Sequence, residues 1–578
     1  MIANRLRASL YFLCFAGVAV LFRLFYWQVI AGESLAALAE SQHNALLEIP
    51  ASRGKILSRD NFDLVSNQPA FLAYAYRPHL TTDVYSIAKL LAPIVHPDPP
   101  ETTTSAQLIE TMIKDAEATL AARLSGERWI WAPLGRKLLL QKKQAIEQLQ
   151  LKGIDFEPEQ IRYYPEASMA ANLVGFVGDN SNGNPQGYFG LEGYYDLELK
   201  GRPGIIRQQK DATGKPILVG TFGGYEPKNG RNLKLHLDRS IQRVSEIELA
   251  KAIERYGAKS GEIIIMDPRT GGIIALATEP KYNPVKYQDY DRSLYKNSTI
   301  ADAYEPGSTF KVIVMSSALD ADVIKPDTIC DACDGPIEIG KFTISTWNNK
   351  YYPDTTMTEV IQHSDNTGMV FVGNKLGKEK LYEYLQKFGI GSPTNIDLQE
   401  ETVTQMKPQK KWGDIDVATA SFGQGIAITA MQMITAVTAI ANDGILMQPR
   451  VVEKIIGETT VALPPKPVRR VISKKAADEM TEMMVNAVQS GEAQWTKIPG
   501  YRIAGKTGTA QIAVAGHYDA EKTIASFVGF APADDPKFVM LVKLREPTSS
   551  QWAADTAAPL WMRLARQLFL YYGIPPQE

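Results

Sequence analysis

Histidine and cysteine are scarce: six and three in a chain of 578 residues. None cluster as a four-ligand metal site requires. There is also no long basic run, and the net charge is −2. Without a basic face to neutralise phosphates, nucleic acid is excluded as the main partner. Cys330 and Cys333 form a lone C-x-x-C. It reads as two loop thiols or a small local disulfide in preference to a metal or redox centre. A second membrane-spanning segment is missing too, so any anchor is a single one.

That one apolar segment opens the chain. "MIANRLR" carries Arg5 and Arg7 and no acid, and an apolar run follows, interrupted by Arg23. From Ala8 to Ala31 a helix would be about 36 Å long at about 1.5 Å per residue, enough to cross a bilayer. Basic residues before the run place the N-terminus in the cytoplasm. Phe25, Tyr26 and Trp27 suit the far interface. A cleaved signal peptide competes, because "ALAE" at 37–40 offers small residues. Length and the aromatic end favour the anchor. Arg23 either snorkels to the outer headgroups or meets another membrane helix.

The remainder exceeds a single core, which rarely passes roughly 250 to 300 residues. Residues 32–235 mix short strands, helical stretches and turns. "ASRGKILSRDNFDLVSN" (51–67) alternates as strands about a tight turn. Residues 136–153 show helical spacing, with Gly153 as the expected C-cap. Near 230 the texture changes. A strand leads into an amphipathic helix capped by Asp238 or Ser240. A hairpin follows at 261–278, then helical patterns at 308–321, 358–388 and 429–442. Two or three strands and a helix at 556–571 close the chain. This order gives an α+β class: an antiparallel sheet covered by helices. The expected division is 1–31, 32–235 and 236–578.

"YEPGSTFKVI" (304–313) sets Ser308 and Lys311 three apart behind a Pro-Gly turn. At a helix N-terminus, free N–H groups favour developing negative charge. A lysine buried beside the serine, near other cations, can act as its base. The plain alternative is an N-cap serine with a surface lysine. Ser52/Lys55, Ser86/Lys89 and Ser293/Lys296 share the spacing without that preparation. Two unique motifs tip the balance: Ser364-Asp365-Asn366 and Lys506-Thr507-Gly508-Thr509. A hydroxyl and an amide two apart can line a cleft wall, one relaying a proton and one holding a carbonyl. A Lys-Thr-Gly-Thr strand offers a cation, hydroxyls for a carboxylate, and a glycine where a peptide backbone can come close. His363 invites a Ser-His reading, but Lys311 already fills the base role.

With S-x-x-K, S-x-N and K-T-G in this order, the chain resembles the penicillin-binding proteins. "RGKILSRDNFDLVSN", "RYYPEASMAANLVGFVG", "GLEGYYDLELKGRPG", "KYNP", "SFGQGIAIT" and "ANDG" extend the likeness to the class B, monofunctional pattern from residue 53 onward. The septal division transpeptidases look nearest and the elongation group second. "SRDNFDL" departs from the family's usual Arg-Asn-Gly, and Asn61 and Phe62 alter that turn.

The resemblance implies a transmembrane helix, an elongated α/β pedestal of the dimerisation type, and a transpeptidase domain with a serine β-lactamase-like fold. It implies that Ser308 attacks the penultimate D-alanine of a stem peptide ending in D-Ala-D-Ala, with Lys311 as base. Ser364 with Lys506 would return a proton to the leaving D-alanine. Asn366 would hold the peptide amide. Thr507 and Thr509 would lie near the carboxylate, about Gly508. The N–H groups of Ser308 and Thr509 would form the oxyanion hole. β-Lactams would acylate Ser308. No metal or other cofactor is called for. With no glycosyltransferase module visible, a separate membrane glycosyltransferase and division proteins are the expected partners. A D,D-carboxypeptidase, a β-lactamase and a β-lactam sensor are the competing readings.

Overall fold

The structure is a computed structural model and describes residues 2–36, 44–100, 105–126, 130–210, 216–514 and 517–577. They form two compact units, 1–53 with 200–230, and 54–199 with 231–578.

In the first unit a helix runs over Ile2–Phe25 and passes into a π-helical turn at Tyr26–Ile30. The two together span 29 residues, and the most apolar 18-residue stretch within them has a mean hydropathy of 2.0. The helix starts at Ile2, not Ala8, so Arg5 and Arg7 are part of it. The Arg23 guanidinium lies 5.3 Å from the Trp27 ring centroid. That charge therefore has an aromatic partner one turn on. The stretch 37–40 lies outside the described residues. Strand Asn44–Ile49 pairs antiparallel with Gly204–Lys210, which pairs with Pro216–Tyr225.

In the second unit, the pedestal strand Asp63–Tyr76 pairs with Trp131–Leu138 and with Ile154–Tyr163. The turn before it is held by Asn61 at φ 63°, a left-handed conformation that asparagine tolerates. The helix expected over 136–153 is shorter, Leu140–Gln148, with Leu149 as its C-cap. Residues 136–138 belong to the strand instead. Lys137 at φ 57° and the extended Leu139 break the helical backbone there. Gly153 sits in the turn that follows. Short strand Ile56–Leu57 pairs in parallel with Asn232–Leu235, which pairs antiparallel with Val452–Ile456. One sheet thus crosses the expected boundary at 235. Buried Asp397 accepts from Tyr195 Oη at 2.9 Å and from the amides of Val451 and Val452 at 2.6 and 2.9 Å. This bond accounts for Tyr195 within the "GLEGYYDLEL" stretch.

The transpeptidase region, in chain order, begins with helix α1 (Arg239–Tyr256), capped by Asp238. The hairpin β1 (Ser260–Met266) and β2 (Ile273–Glu279) follows. Helices α2 (Lys311–Asp320), α3 (Met357–Gln362), α4 (Asn366–Leu376), α5 (Ala430–Ala441) and α6 (Lys474–Ser490) come next. Strands β3 (Ala504–Val514), β4 (His517–Ala531) and β5 (Phe538–Arg545) and helix α7 (Ala557–Tyr572) complete it. The sheet order is β2-β1-β5-β4-β3, antiparallel throughout.

Both faces are covered, which is why β1 and β5 read as unbroken apolar runs. Ile263, Ile265, Met540 and Val542 pack with α1 and α7. Ile264, Met266, Val539 and Leu541 pack in the core that holds α2 and α5. Trp561 is fully buried, and its indole N–H is satisfied by Met540 O at 2.8 Å. Strand β3 is the sheet's edge.

Candidate active site

Ser308 lies in a 3₁₀ turn, Gly307–Phe310, that feeds α2. In a 3₁₀ turn residues i and i+3 eclipse, so Ser308 and Lys311 share one side. Lys311 is fully buried. Its Nζ donates to Ser364 O at 2.6 Å, Asn366 Oδ1 at 2.8 Å and Ser364 Oγ at 3.3 Å. Burial, and then the charge of Lys506, push its pKa down to about 7; Asp365 and Glu492 pull the other way. A buried amine without a contacting carboxylate favours its neutral form.

Ser364 joins α3 to α4 with φ at 56°. A left-handed serine costs free energy of order 1–3 kcal/mol, and such strain gathers at functional sites. Asp365 holds the conformation as N-cap of α4. Its Oδ1 accepts from Thr367 N at 2.8 Å, Gly368 N at 3.2 Å and Thr367 Oγ1 at 2.7 Å. Asn366 Nδ2 donates to Ser345 O at 3.0 Å, which fixes the amide's orientation. His363 stacks on Tyr352, centroids 4.3 Å apart.

On β3, Lys506 is buried and its pKa is lowered by desolvation. Its Nζ donates to Thr507 Oγ1 at 3.1 Å, and Thr507 Oγ1 donates to Glu492 Oε2 at 2.7 Å. Thr509 Oγ1 accepts from Ala553 N at 3.1 Å. Gly508 also has a packing reason to be glycine. A Cβ there would stand 3.0 Å from Thr309 N and 2.7 Å from Thr309 Cγ2. The close approach is to the chain's own nucleophile turn, so the glycine packs β3 against Ser308's neighbour. The three motifs thus meet: Lys311 on Ser364 and Asn366, Thr309 on Gly508. Of the other S-x-x-K pairs, Ser86/Lys89 lies within the helix Val84–Val95 and Ser293/Lys296 at the short turn Arg292–Tyr295.

Residues 261–566 match the penicillin binding protein transpeptidase domain, and residues 48–235 match the penicillin-binding protein dimerisation domain. The chain belongs to the penicillin-binding protein family. Stage V sporulation protein D of Bacillus subtilis is 32% identical over 99% of this chain and 87% of its own length. Peptidoglycan D,D-transpeptidase FtsI of Escherichia coli is 29% identical over 93% of this chain and 87% of its own. In fold, the crystal structure of a peptidoglycan synthetase from Bifidobacterium adolescentis superposes with a TM-score of 0.73. It is 24% identical, covering 93% of this chain and 98% of that one.

Within this penicillin-binding protein, sequence reasoning missed Glu492. A lone carboxylate in "SGEAQW" gives no signal. It also missed the tryptophan pair Trp347 and Trp552, whose rings meet edge-to-face at 5.1 Å. Trp347 Nε1 reaches His363 O at 3.3 Å, beside Ser364. Cys330 and Cys333 are disulfide-bonded, the local-disulfide alternative.

Proposed function

We propose that this chain is a serine D,D-transpeptidase that cross-links peptidoglycan stem peptides, acting in septal wall synthesis. Ser308 Oγ attacks the carbonyl of the penultimate D-alanine, and Lys311 accepts its proton. The bond to the terminal D-alanine breaks, and Ser364 with Lys506 protonates the departing amine. An amine of a second stem peptide then takes the acyl group. Asn366 holds the donor's amide, and Thr507 and Thr509 receive its carboxylate. Gly508 keeps the strand against the nucleophile turn. Open-edged β3 gives the donor backbone a strand to pair with.

The observation that carries the reading is the hydrogen-bond set of Lys311. An ammonium has three N–H donors, and three oxygens surround it. The neutral amine keeps two donors and gains a lone pair. The longest contact, to Ser364 Oγ at 3.3 Å, is the natural one to exchange. That geometry supports proton traffic between Lys311 and Ser364, with a pKa near neutrality suited to a base.

The apolar N-terminal helix supports a single-pass anchor in the plasma membrane, with Arg5 and Arg7 on the cytoplasmic side. A disulfide at Cys330–Cys333 suits a catalytic region outside the cytoplasm. A separate membrane glycosyltransferase supplying strands, and division proteins contacting helix and pedestal, are the proposed partners.

The test is labelling with a fluorescent penicillin, wild type against Ser308→Ala, with intact-mass detection. The wild type gives a stable one-to-one adduct and the variant none. Equal labelling of both removes the nucleophile assignment; an adduct that turns over rapidly favours a hydrolase.

A further inference from the structure

The chain entering the nucleophile is one half of a ladder. Ala303 and Tyr304 pair antiparallel with Thr429 and Ile428. Two more bonds continue the ladder toward Ser308. Gly425 N donates to Glu305 Oε1 at 3.1 Å, and Gly307 N donates to Gly423 O at 3.0 Å. Gly423 has φ 81°, and a Cβ there would stand 2.2 Å from Gly307 O. The 423–425 loop therefore presses directly on the nucleophile turn.

Glu305 has a second attachment. Tyr518 Oη donates to its carboxylate, 3.0 Å from Oε2 and 3.3 Å from Oε1. Tyr518 stands at the start of β4, paired with Ala513 of β3. Burial raises the Glu305 carboxyl above its ordinary range. Burial and the Glu305 charge push the Tyr518 phenol up to about 12. The phenol thus stays a donor throughout the neutral range. One carboxylate ties together the nucleophile turn, the 423–425 loop and the β3–β4 hairpin.

Two clusters flank the nucleophile turn. Lys311, Ser364 and Asn366 form one, and the Lys506–Thr509 strand forms the other. The cluster of Glu305, Gly425 and Tyr518 adjoins the same turn and holds no group to which the acylation of Ser308 is assigned. We propose that Glu305 is a positioning residue for the second half-reaction, fixing through Gly425 and Tyr518 the wall along which the acceptor peptide's amine is aimed at the acyl carbon. This rests on the transpeptidase reading. In that step the amine nitrogen bonds the acyl carbon, the ester bond to Ser308 Oγ breaks, and the amine's proton ends on Ser308 Oγ. Water competes with the same balance and releases a free acid. A peptide amine has to be oriented where water does not, so loosening the wall favours water.

The experiment uses the full-length protein in detergent, a thioester donor to form the acyl-enzyme, and a free D-amino acid as acceptor amine. The readout is the ratio of amide to acid product per acyl-enzyme formed, which slower acylation does not alter. Glu305→Ala lowers the ratio about tenfold and Tyr518→Phe about threefold, magnitudes typical of lost orientation. Glu305→Gln, whose amide oxygen still accepts from Gly425 and Tyr518, recovers it to within about twofold. An unchanged ratio in Glu305→Ala, or Glu305→Gln as poor as Glu305→Ala, overturns the proposal. A wild type that forms no acyl-enzyme on Ser308 overturns the transpeptidase reading, and this proposal with it.

Discussion

The transpeptidase sheet is buried on both faces, whereas the pedestal strand Asp63–Tyr76 mixes buried, half-buried and exposed positions. The pedestal's core is small: Ile87, Leu91, Leu120, Leu124, Ala132 and Leu134 are among its buried residues. Around it Tyr85, Leu90, Ile130, Trp131, Leu139 and Leu140 remain exposed. In the first region residue identity is fixed by contact and by chemistry at once. Gly508 has Thr309 N where its side chain would be, and Lys311 has three oxygens waiting for it. In the small pedestal core around Leu91 apolar bulk is the main demand, and bulk of matching volume is interchangeable. Substitutions should therefore hit acylation hard in one region and stability alone in the other.

The sharpest test of that contrast is Lys311→Met, which keeps the volume and removes the base. Penicillin acylation should slow by about 10²–10⁴-fold, the usual worth of a positioned base; stopped-flow rates within a few-fold of wild type would remove Lys311 from the role. Next is pH. With the working form neutral and the pKa near 7, acylation should rise about tenfold per unit from pH 5 and level off above neutrality. A rate that is flat across that range would mean the amine is not what titrates. Gly508→Ala should cost about 1–3 kcal/mol as overpacking against Thr309 and slow acylation about tenfold. Calorimetry with the same labelling assay would expose a tolerated methyl. The smallest effect on chemistry belongs to the pedestal. Leu91→Ala should lose about 2–5 kcal/mol of stability while folded molecules acylate within about twofold of wild type. A large rate loss there would collapse the distinction between the regions.

Much of the site was legible because its groups recur at short spacings on predictable elements. Ser308 and Lys311 are i, i+3; Ser364 and Asn366 flank a capping aspartate; Lys506 to Thr509 are contiguous. Such patterns survive in one dimension. Glu492 does not, since its meaning comes from Thr507 Oγ1 across a fold contact. Glu305 lay inside a quoted motif, yet its partners are 120 and 213 positions away. The fold behaved likewise. Apolar runs betrayed β1 and β5, buried on both sides. Residues 136–153 misled because "RKLLLQKKQAIEQLQLKG" satisfies the helical period across a strand end that only pairing with Asp63–Tyr76 fixes. The pairing across residue 235 was equally hidden, since strand Asn232–Leu235 bonds to partners from both sides of it.

The bare edge of β3 has a consequence outside catalysis. Unpaired sheet edges invite chance association between molecules, and proteins blunt them with charge, including inward-pointing charge, and with bulges. Here the edge strand carries the inward-buried charge of Lys506 and a register shift between Gln511 and Ile512. The lysine proposed to serve one particular guest is also a feature that makes the edge a poor seed for aggregation.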